Sequence, residues 1–260
     1  MLTIMVSVSA VGLQLIPYDP MSIGRFPRHL KPSMKHIMGT DGFGRDVFAQ
    51  LLMGILNSLQ IGVTVAIAGT LVGSGIGFIA GFYGGFVDHL LRGITDIFIV
   101  IPMLPIIVLI VSSVRKTEIW MLISVLSMFA WAWPSRQVRS QTLSLKERDF
   151  IYMAKLSGMK DIEIVFKEIM PHMIQWMSAN FINATLWAIL TEAGLGVLGL
   201  GPKHTMTIGM MIYWVIFCSA IYKGLWWWWF PPLITLACLF LSLYLIYSGL
   251  DEIINPRERG

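Results

Sequence analysis

Apolar runs long enough to cross a lipid bilayer leave this chain few ways to fold. Hydropathy marks seven apolar candidates, not all of which need span, at 2–16, 56–82, 94–114, 119–134, 173–199, 206–222 and 227–250. At 1.5 Å per residue, about 20 such residues cross a hydrocarbon core roughly 30 Å thick, and a helix satisfies its own backbone hydrogen bonds there. Two-residue alternation is weak, which argues against a barrel. Hydrophobic residues make up 56% of the chain and charged ones 13%, outside the soluble norm. The expected fold is an all-α, polytopic membrane protein.

Lys and Arg distribution sets the topology, because these residues stay cytoplasmic near span ends. The stretch 136–167 holds Arg136, Arg139, Lys146, Arg148, Lys155, Lys160 and Lys167 and is placed inside. If every other segment spanned, Arg257 and Arg259 would emerge outside. The run 206–222 follows the turn LGLGPKHT and carries Tyr213, Trp214 and Tyr222, which suit an interface. Setting it aside gives six transmembrane helices with both termini cytoplasmic. Arg25, Arg28, Lys31, Lys35 and Arg45 in the loop 17–55 oppose this orientation, although a long folded loop translocates regardless of charge. Residues 2–16 lack a basic n-region and a small-x-small site, so they are read as a first span rather than a cleaved leader. Their shortness points to a start upstream of Met1. The chain divides into 1–55, a first helix and extracellular loop, and 56–260, a core with a polar loop at 136–172.

That loop contains the segment with most to say about function, DFIYMAKLSGMKDIEIVFKEIMP, Asp149 to Pro171. Asp149–Leu156 has a helical pattern with Phe150, Met153 and Ala154 on one side. Gly158 allows a positive-φ turn, and a second helix over Lys160–Ile169 is stopped by Pro171. Ala154 and Gly158 let another backbone approach, with Lys155, Lys160, Asp161 and Glu163 as a polar rim. An amphipathic loop lying on the membrane surface is the other reading of these residues.

The segment resembles the cytoplasmic loop of permease subunits of binding-protein-dependent ABC importers. The family pattern is Glu-Ala-Ala, three residues, Gly, nine residues, Ile, one residue, Leu-Pro. Tyr152, Met153 and Ala154 hold the first three places, Gly158 the glycine, Glu168 the isoleucine, Met170 the leucine and Pro171 the proline. Ala154, Gly158 and Pro171 match outright. Asp149-Phe150-Ile151 is similar to the lead-in of the dipeptide, oligopeptide and nickel branch, and the chain looks like that branch's second permease. The resemblance implies that Asp149, Tyr152, Met153, Ala154, Lys155, Gly158 and Pro171 dock in a groove of the ATPase.

Other strings resemble the same branch. His36–Asp46, HIMGTDGFGRD, is similar to its Leu-Gly-Thr-Asp-x-x-Gly-Arg-Asp signature. Gly39, Gly42 and Gly44 supply turn geometry, Asp41 can accept from backbone amides, and Asp46 is placed to cap a helix beginning near Val47. A rigid turn built with Thr40 is the favoured reading; substrate contact by Asp41, Arg45 or Asp46 is the alternative. GFYGGFVDHLLRGITD, Gly81–Asp96, resembles the turn between spans two and three, where Asp88, Arg92 and Asp96 share a helix face and can pair. The family arginine falls where this chain has Gly93.

TEAGLGVLGLG, Thr191–Gly201, looks like Glu-Ala-x-Leu-Ser-Phe-Leu-Gly-Leu-Gly, with Gly196 and Val197 replacing Ser and Phe. Glu192, an ionisable residue in an apolar run, is read either as a pathway or gate residue or as a hydrogen-bond anchor. Pro102 and Pro105 kink span three, shaping the pathway or its packing. The run Trp226–Trp229 suits the headgroup level; such a platform also stacks on sugars, as in branch members that carry oligosaccharides.

Val72 precedes Gly73-Ser74-Gly75, so a rhomboid-type protease lacks its Gly-x-Ser-Gly motif. With no phosphate-cradling loop, ATP hydrolysis falls to another chain. His29, His36, His89, His172 and His204 are scattered, which supports no metal site, and Cys218 and Cys238 lie in apolar runs as packing residues. The net charge of +4 reflects the cytoplasmic bias rather than nucleic-acid binding.

A secondary carrier or channel is the rival class, but no internal repeat is evident and intramembrane charges are few. The resemblance implies a homologous permease partner, two ATP-binding subunits holding ATP and Mg, an extracellular solute-binding protein, and no cofactor on this chain. It implies that the loop 149–171 follows ATPase closure and tilts spans three to six. Oligopeptides are the default cargo, oligosaccharides the rival and nickel the third choice.

Overall fold

The computed structural model describes residues 1–114 and 117–254. Arg257 and Arg259, which entered the topology argument, lie outside the described residues. The described chain is helical, with one isolated bridge between Thr40 and Asp46. Its helices are α1 (Leu2–Leu15), α2 (Val47–Tyr83), α3 (Gly85–Val100), α4 (Met103–Ser113), α5 (Ile119–Ala130) and α6 (Ala132–Lys146). There follow α7 (Asp149–Leu156), α8 (Asp161–Ile164), a π-turn over Val165–Ile169, α9 (Met170–Val197), α10 (Ile208–Phe217) and α11 (Trp226–Ile254).

Two of these, α2 and α11, are long and apolar enough by themselves to cross a bilayer. The pair α3 and α4 passes the same test together, but bends by 78° at its break. Ile101 leaves the helix with ψ of 128° ahead of Pro102, the extended conformation that a following proline favours. The kink expected from Pro102 is therefore a full break, while Pro105 lies in the first turn of α4, where a missing N–H costs little. The six-span count also calls on α1, α5 and α9, of 14, 12 and 28 residues.

The ten residues of α10 rise only about 15 Å, half the hydrocarbon core, so this segment does not cross on its own. It is not a surface helix either: Ile208, Gly209, Met210, Met211 and Val215 are buried. Close packing explains this, since a Cβ on Gly209 would meet the Ala193 Cα at 2.7 Å and one on Gly196 would meet the Gly209 carbonyl carbon at 2.7 Å.

Residues divide between two compact units. One comprises Met1–Val63, Ile107–Ile123 and Leu186–Leu245, the other Thr64–Ile106, Ser124–Thr185 and Ile246–Gly260. In the second unit a glycine ladder on α2, Gly69, Gly73, Gly77 and Gly81, lies against the segment Ala130–Thr142. Cβ atoms there would meet Ala130 Cβ at 2.7 Å, Trp131 O at 2.4 Å, Ser135 O at 2.7 Å and Thr142 Cβ at 2.7 Å. Small residues at every fourth position let helix backbones touch in a bilayer, where dispersion rather than the hydrophobic effect drives packing.

In the first unit the loop before α2 folds as a compact cover. Thr40 is its pivot: its hydroxyl donates to Pro27 O at 2.7 Å and accepts from Leu30 N–H at 2.8 Å. Gly39 and Gly44 have φ of +63° and +73°, and side chains there would strike Leu30 O and Phe26 O at 2.3 and 2.2 Å. Two of the four adjacent tryptophans, Trp227 and Trp228, are buried at 6% and 1% exposure. These two indoles are therefore turned inward, with Gly39 and Gly42 of the cover packed on them, while Trp226 stays 56% exposed.

Candidate functional site

The polar segment between α6 and α9 folds as a knob seated on α2, α6 and α9. Ile151, Ala154, Ile164 and Ile169 bury against Phe78, Phe82, Val138 and Met173. The expected helix Asp149–Leu156 is present, with Asp149 in its first turn and Lys155 in its last, a charge order that favours the helix dipole. Gly158 then turns the chain at φ +79°, exposed and with open space around it. Glu163 accepts from the Lys160 N–H at 3.1 Å and starts α8.

Two details differ from expectation. Met153 does not share a side with Ala154: Ala154 is 7% exposed and Met153 63%, because Ile151 and Ala154 form the inward stripe. Pro171 does not stop the second helix. The π-turn Val165–Ile169 widens the coil, with Met170 N–H reaching back to Val165 O, and the chain runs straight into α9. A bulge of this kind relieves the clash between a proline ring and the carbonyl four residues earlier.

The outward face of the knob is apolar. Tyr152 is 50% exposed, Met153 63%, Leu156 81%, Ile162 61% and Phe166 60%. At its flank the Lys155 and Lys146 ammonium groups sit 5.8 and 5.7 Å from the Phe82 ring centroid, each a cation–π contact.

Asp88 pairs with Arg139 of α6 rather than with Arg92. The Arg139 Nε donates to Asp88 Oδ1, and Nη2 donates to Oδ2 at 2.6 Å, a bidentate fork. These bonds hold the Asp88 carboxyl below its usual range, outweighing the opposing effect of burial, and raise Arg139. Arg92 reaches only Asp96, at 3.5 Å and largely exposed. Sequence spacing along one helix offered Arg92 as partner; a fork from a residue 51 positions away leaves no local signal.

Every ionisable residue of the glycine-rich signature is buried and engaged. Asp41 accepts from the Phe43 and Arg45 N–H groups at 2.8 Å each, from Arg45 Nε at 2.7 Å and from Gln50 Nε2 at 3.1 Å. The Arg45 guanidinium also stacks on Phe43 and Trp214, 4.8 and 5.5 Å from their centroids. Asp46 caps α2 by accepting from the Ala49 N–H at 3.0 Å, and its other oxygen lies 2.6 Å from His36 Nδ1. With exposures of 0%, 3% and 3% for Asp41, Arg45 and Asp46, this geometry favours the rigid turn over substrate contact.

Glu192 is fully buried, near the end of α9. Ser58 of α2 donates to its Oε2 at 3.0 Å, and the same hydroxyl accepts from the Ile208 N–H at 3.1 Å. One carboxylate and one hydroxyl thus tie α2, α9 and the start of α10 together. Neither Ser58 nor Asn57, which donates to Met206 O at 2.7 Å, is marked by any sequence motif.

The described residues form a helical membrane protein with a broken span, backbone-contact helix packing and a knob seated on α2, α6 and α9, and the chain's family match sets its class as a membrane transport subunit. Residues 73–260 match the family of binding-protein-dependent transport system inner membrane components. Oligopeptide transport system permease protein OppC of Lactococcus lactis subsp. cremoris is 30% identical over 86% of this chain and 76% of its own length. The protein of the same name from Mycobacterium bovis is 30% identical over 97% of this chain and 87% of its own. A chain of the inward-facing MetNI methionine ABC transporter shares the fold, with a TM-score of 0.61 at 16% identity over 78% of this chain and 97% of that one.

The chain belongs to the family of inner membrane components of binding-protein-dependent transport systems. It is the permease of an ABC importer, and not an enzyme.

Proposed function

We propose that this permease lines a pathway for oligopeptides together with a homologous permease, and that its knob docks on a separate ATP-hydrolysing chain at the cytoplasmic face. ATP and Mg belong to that chain in this reading, and a solute-binding protein delivers cargo on the extracellular side. The loop 136–172 and both termini are then cytoplasmic, as the clustering of Lys and Arg favours.

The outward face of the knob carries this reading. Tyr152, Met153, Leu156, Ile162 and Phe166 are half exposed or more, above a core that does not need them. These exposed apolar side chains, flanked by the exposed Asp149, Lys155, Lys160 and Lys167, have the composition of a protein-binding surface. Ala154 contributes from beneath, and Gly158 keeps the turn free of side-chain bulk. Pro171 contributes by position, setting the stiff junction between knob and α9.

Peptide cargo is favoured by the relatives' names. Sugar cargo has less support, because Trp227 and Trp228 are turned inward and offer no stacking platform.

Met153→Glu and Leu156→Glu test the docking. Both change exposed residues, so insertion should equal wild type while co-purified ATPase and solute uptake fall by about tenfold or more, the scale expected for charging the centre of an apolar contact. Wild-type uptake in both variants would end this reading.

A further inference from the structure

We propose that a cavity between α2, α3 and α6 binds a phosphate group, carried either by an anionic lipid or by a soluble phosphate. The cavity holds about 220 Å³, and Arg92, Thr95, Asp96, Ser135, Arg136 and Arg139 contribute to its wall. That volume falls below the roughly 300 Å³ at which cofactor-sized sites begin, so it suits one compact anionic group.

The donors are unevenly committed, and the surplus is what an anion needs. Arg139 spends the N–H of Nε and one N–H of Nη2 on Asp88, which leaves three N–H groups, two on Nη1 and one on Nη2. Arg92 is loosely held by Asp96 at 3.5 Å. Arg136 has no carboxylate partner among the described residues. Three guanidinium groups face two carboxylates, Asp88 and Asp96, so the local excess is one positive charge, and it falls on Arg136.

Two hydroxyls line the wall. Thr95 and Ser135 are 3% and 2% exposed. Thr95 donates to Leu91 O at 2.8 Å, so the 3.5 Å contact between the two hydroxyls leaves the Ser135 proton weakly used. A phosphate group, with three or more acceptor oxygens, matches the Arg136 fork, the spare Arg139 donors and this O–H together.

The position admits both sources. The opposite side of α3 exposes Leu90, Ile94 and Ile97 at 53%, 41% and 59%, as a helix against lipid would. Basic pockets between membrane helices are known to take acidic headgroups.

The test uses the full chain in detergent with equal phosphatidylglycerol and phosphatidylcholine, with bound lipid counted by native mass spectrometry. Wild type should retain phosphatidylglycerol preferentially. Arg136→Gln should lower that retention about tenfold, the scale of one bidentate charge-assisted contact. Arg148→Gln removes the same charge from an exposed position outside the cavity and should change nothing.

A second arm titrates inorganic phosphate into the chain in phosphatidylcholine nanodiscs. A rise in thermal midpoint that Arg136→Gln abolishes, without phosphatidylglycerol preference, assigns the site to soluble phosphate. If Arg136→Gln fails to insert, Arg136→Lys keeps the charge without the fork, and a several-fold loss is expected. Absence of both anion effects, equal losses in the Arg136 and Arg148 variants, or unchanged binding in Arg136→Lys overturns the proposal.

Discussion

Replacing Glu192 by near-isosteres separates anchoring from transport at the scale of one residue. Glu192→Gln keeps an oxygen to accept from Ser58, so the thermal midpoint in detergent should stay close to wild type. Glu192→Leu leaves the buried Ser58 hydroxyl without its acceptor and should cost about 1–3 kcal/mol. A Leu variant as stable as wild type would remove the anchor role. The Asp88–Arg139 fork has a pH signature. Because Arg139 holds the folded Asp88 carboxyl below its unfolded value of about 4, its stabilisation is complete above that pH. It fades as pH falls through the lower, folded value. The stability gap between wild type and Asp88→Asn should therefore be constant from pH 7 to about 5 and shrink below about 4. A gap already closed at pH 6 would contradict the fork.

At the scale of elements, the α2 glycine ladder is the feature most sensitive to bulk. Gly73→Leu must force apart backbones that would leave its Cβ 2.4 Å from Trp131 O, and should cost about 1–3 kcal/mol or abolish folding. A Cβ on Gly75, two positions on, meets nothing within 4 Å, so Gly75→Ala should be nearly neutral by the same thermal measurement, whereas Gly73→Ala should already be destabilising. Equal effects would show that the ladder is not the contact. Local patterns revealed α7, the Gly158 turn and the Asp46 cap, because each depends on residues within a few positions. The continuation through Pro171 was not legible, since a π-turn has no residue preference strong enough to read. Nor was the burial of Trp227 and Trp228, which depends on a cover formed some 190 residues earlier in the chain.

For the molecule as a whole, membrane insertion and family were legible because lipid imposes one rule on every span and the glycine-rich signature extends over contiguous residues. The Asp88–Arg139 fork, the Ser58–Glu192 tie and the arginine-lined cavity join distant positions, and only packing brings them together. Docking rests on the outward face of the knob. Its most direct measurement is affinity purification of the full chain from native membranes, as wild type and as Met153→Glu, with every co-purifying subunit quantified. Wild type should bring a homologous permease and ATPase chains, and the variant should keep the permease while losing the ATPase. Undiminished ATPase with the variant, or a wild-type chain that purifies alone, would contradict docking through the knob.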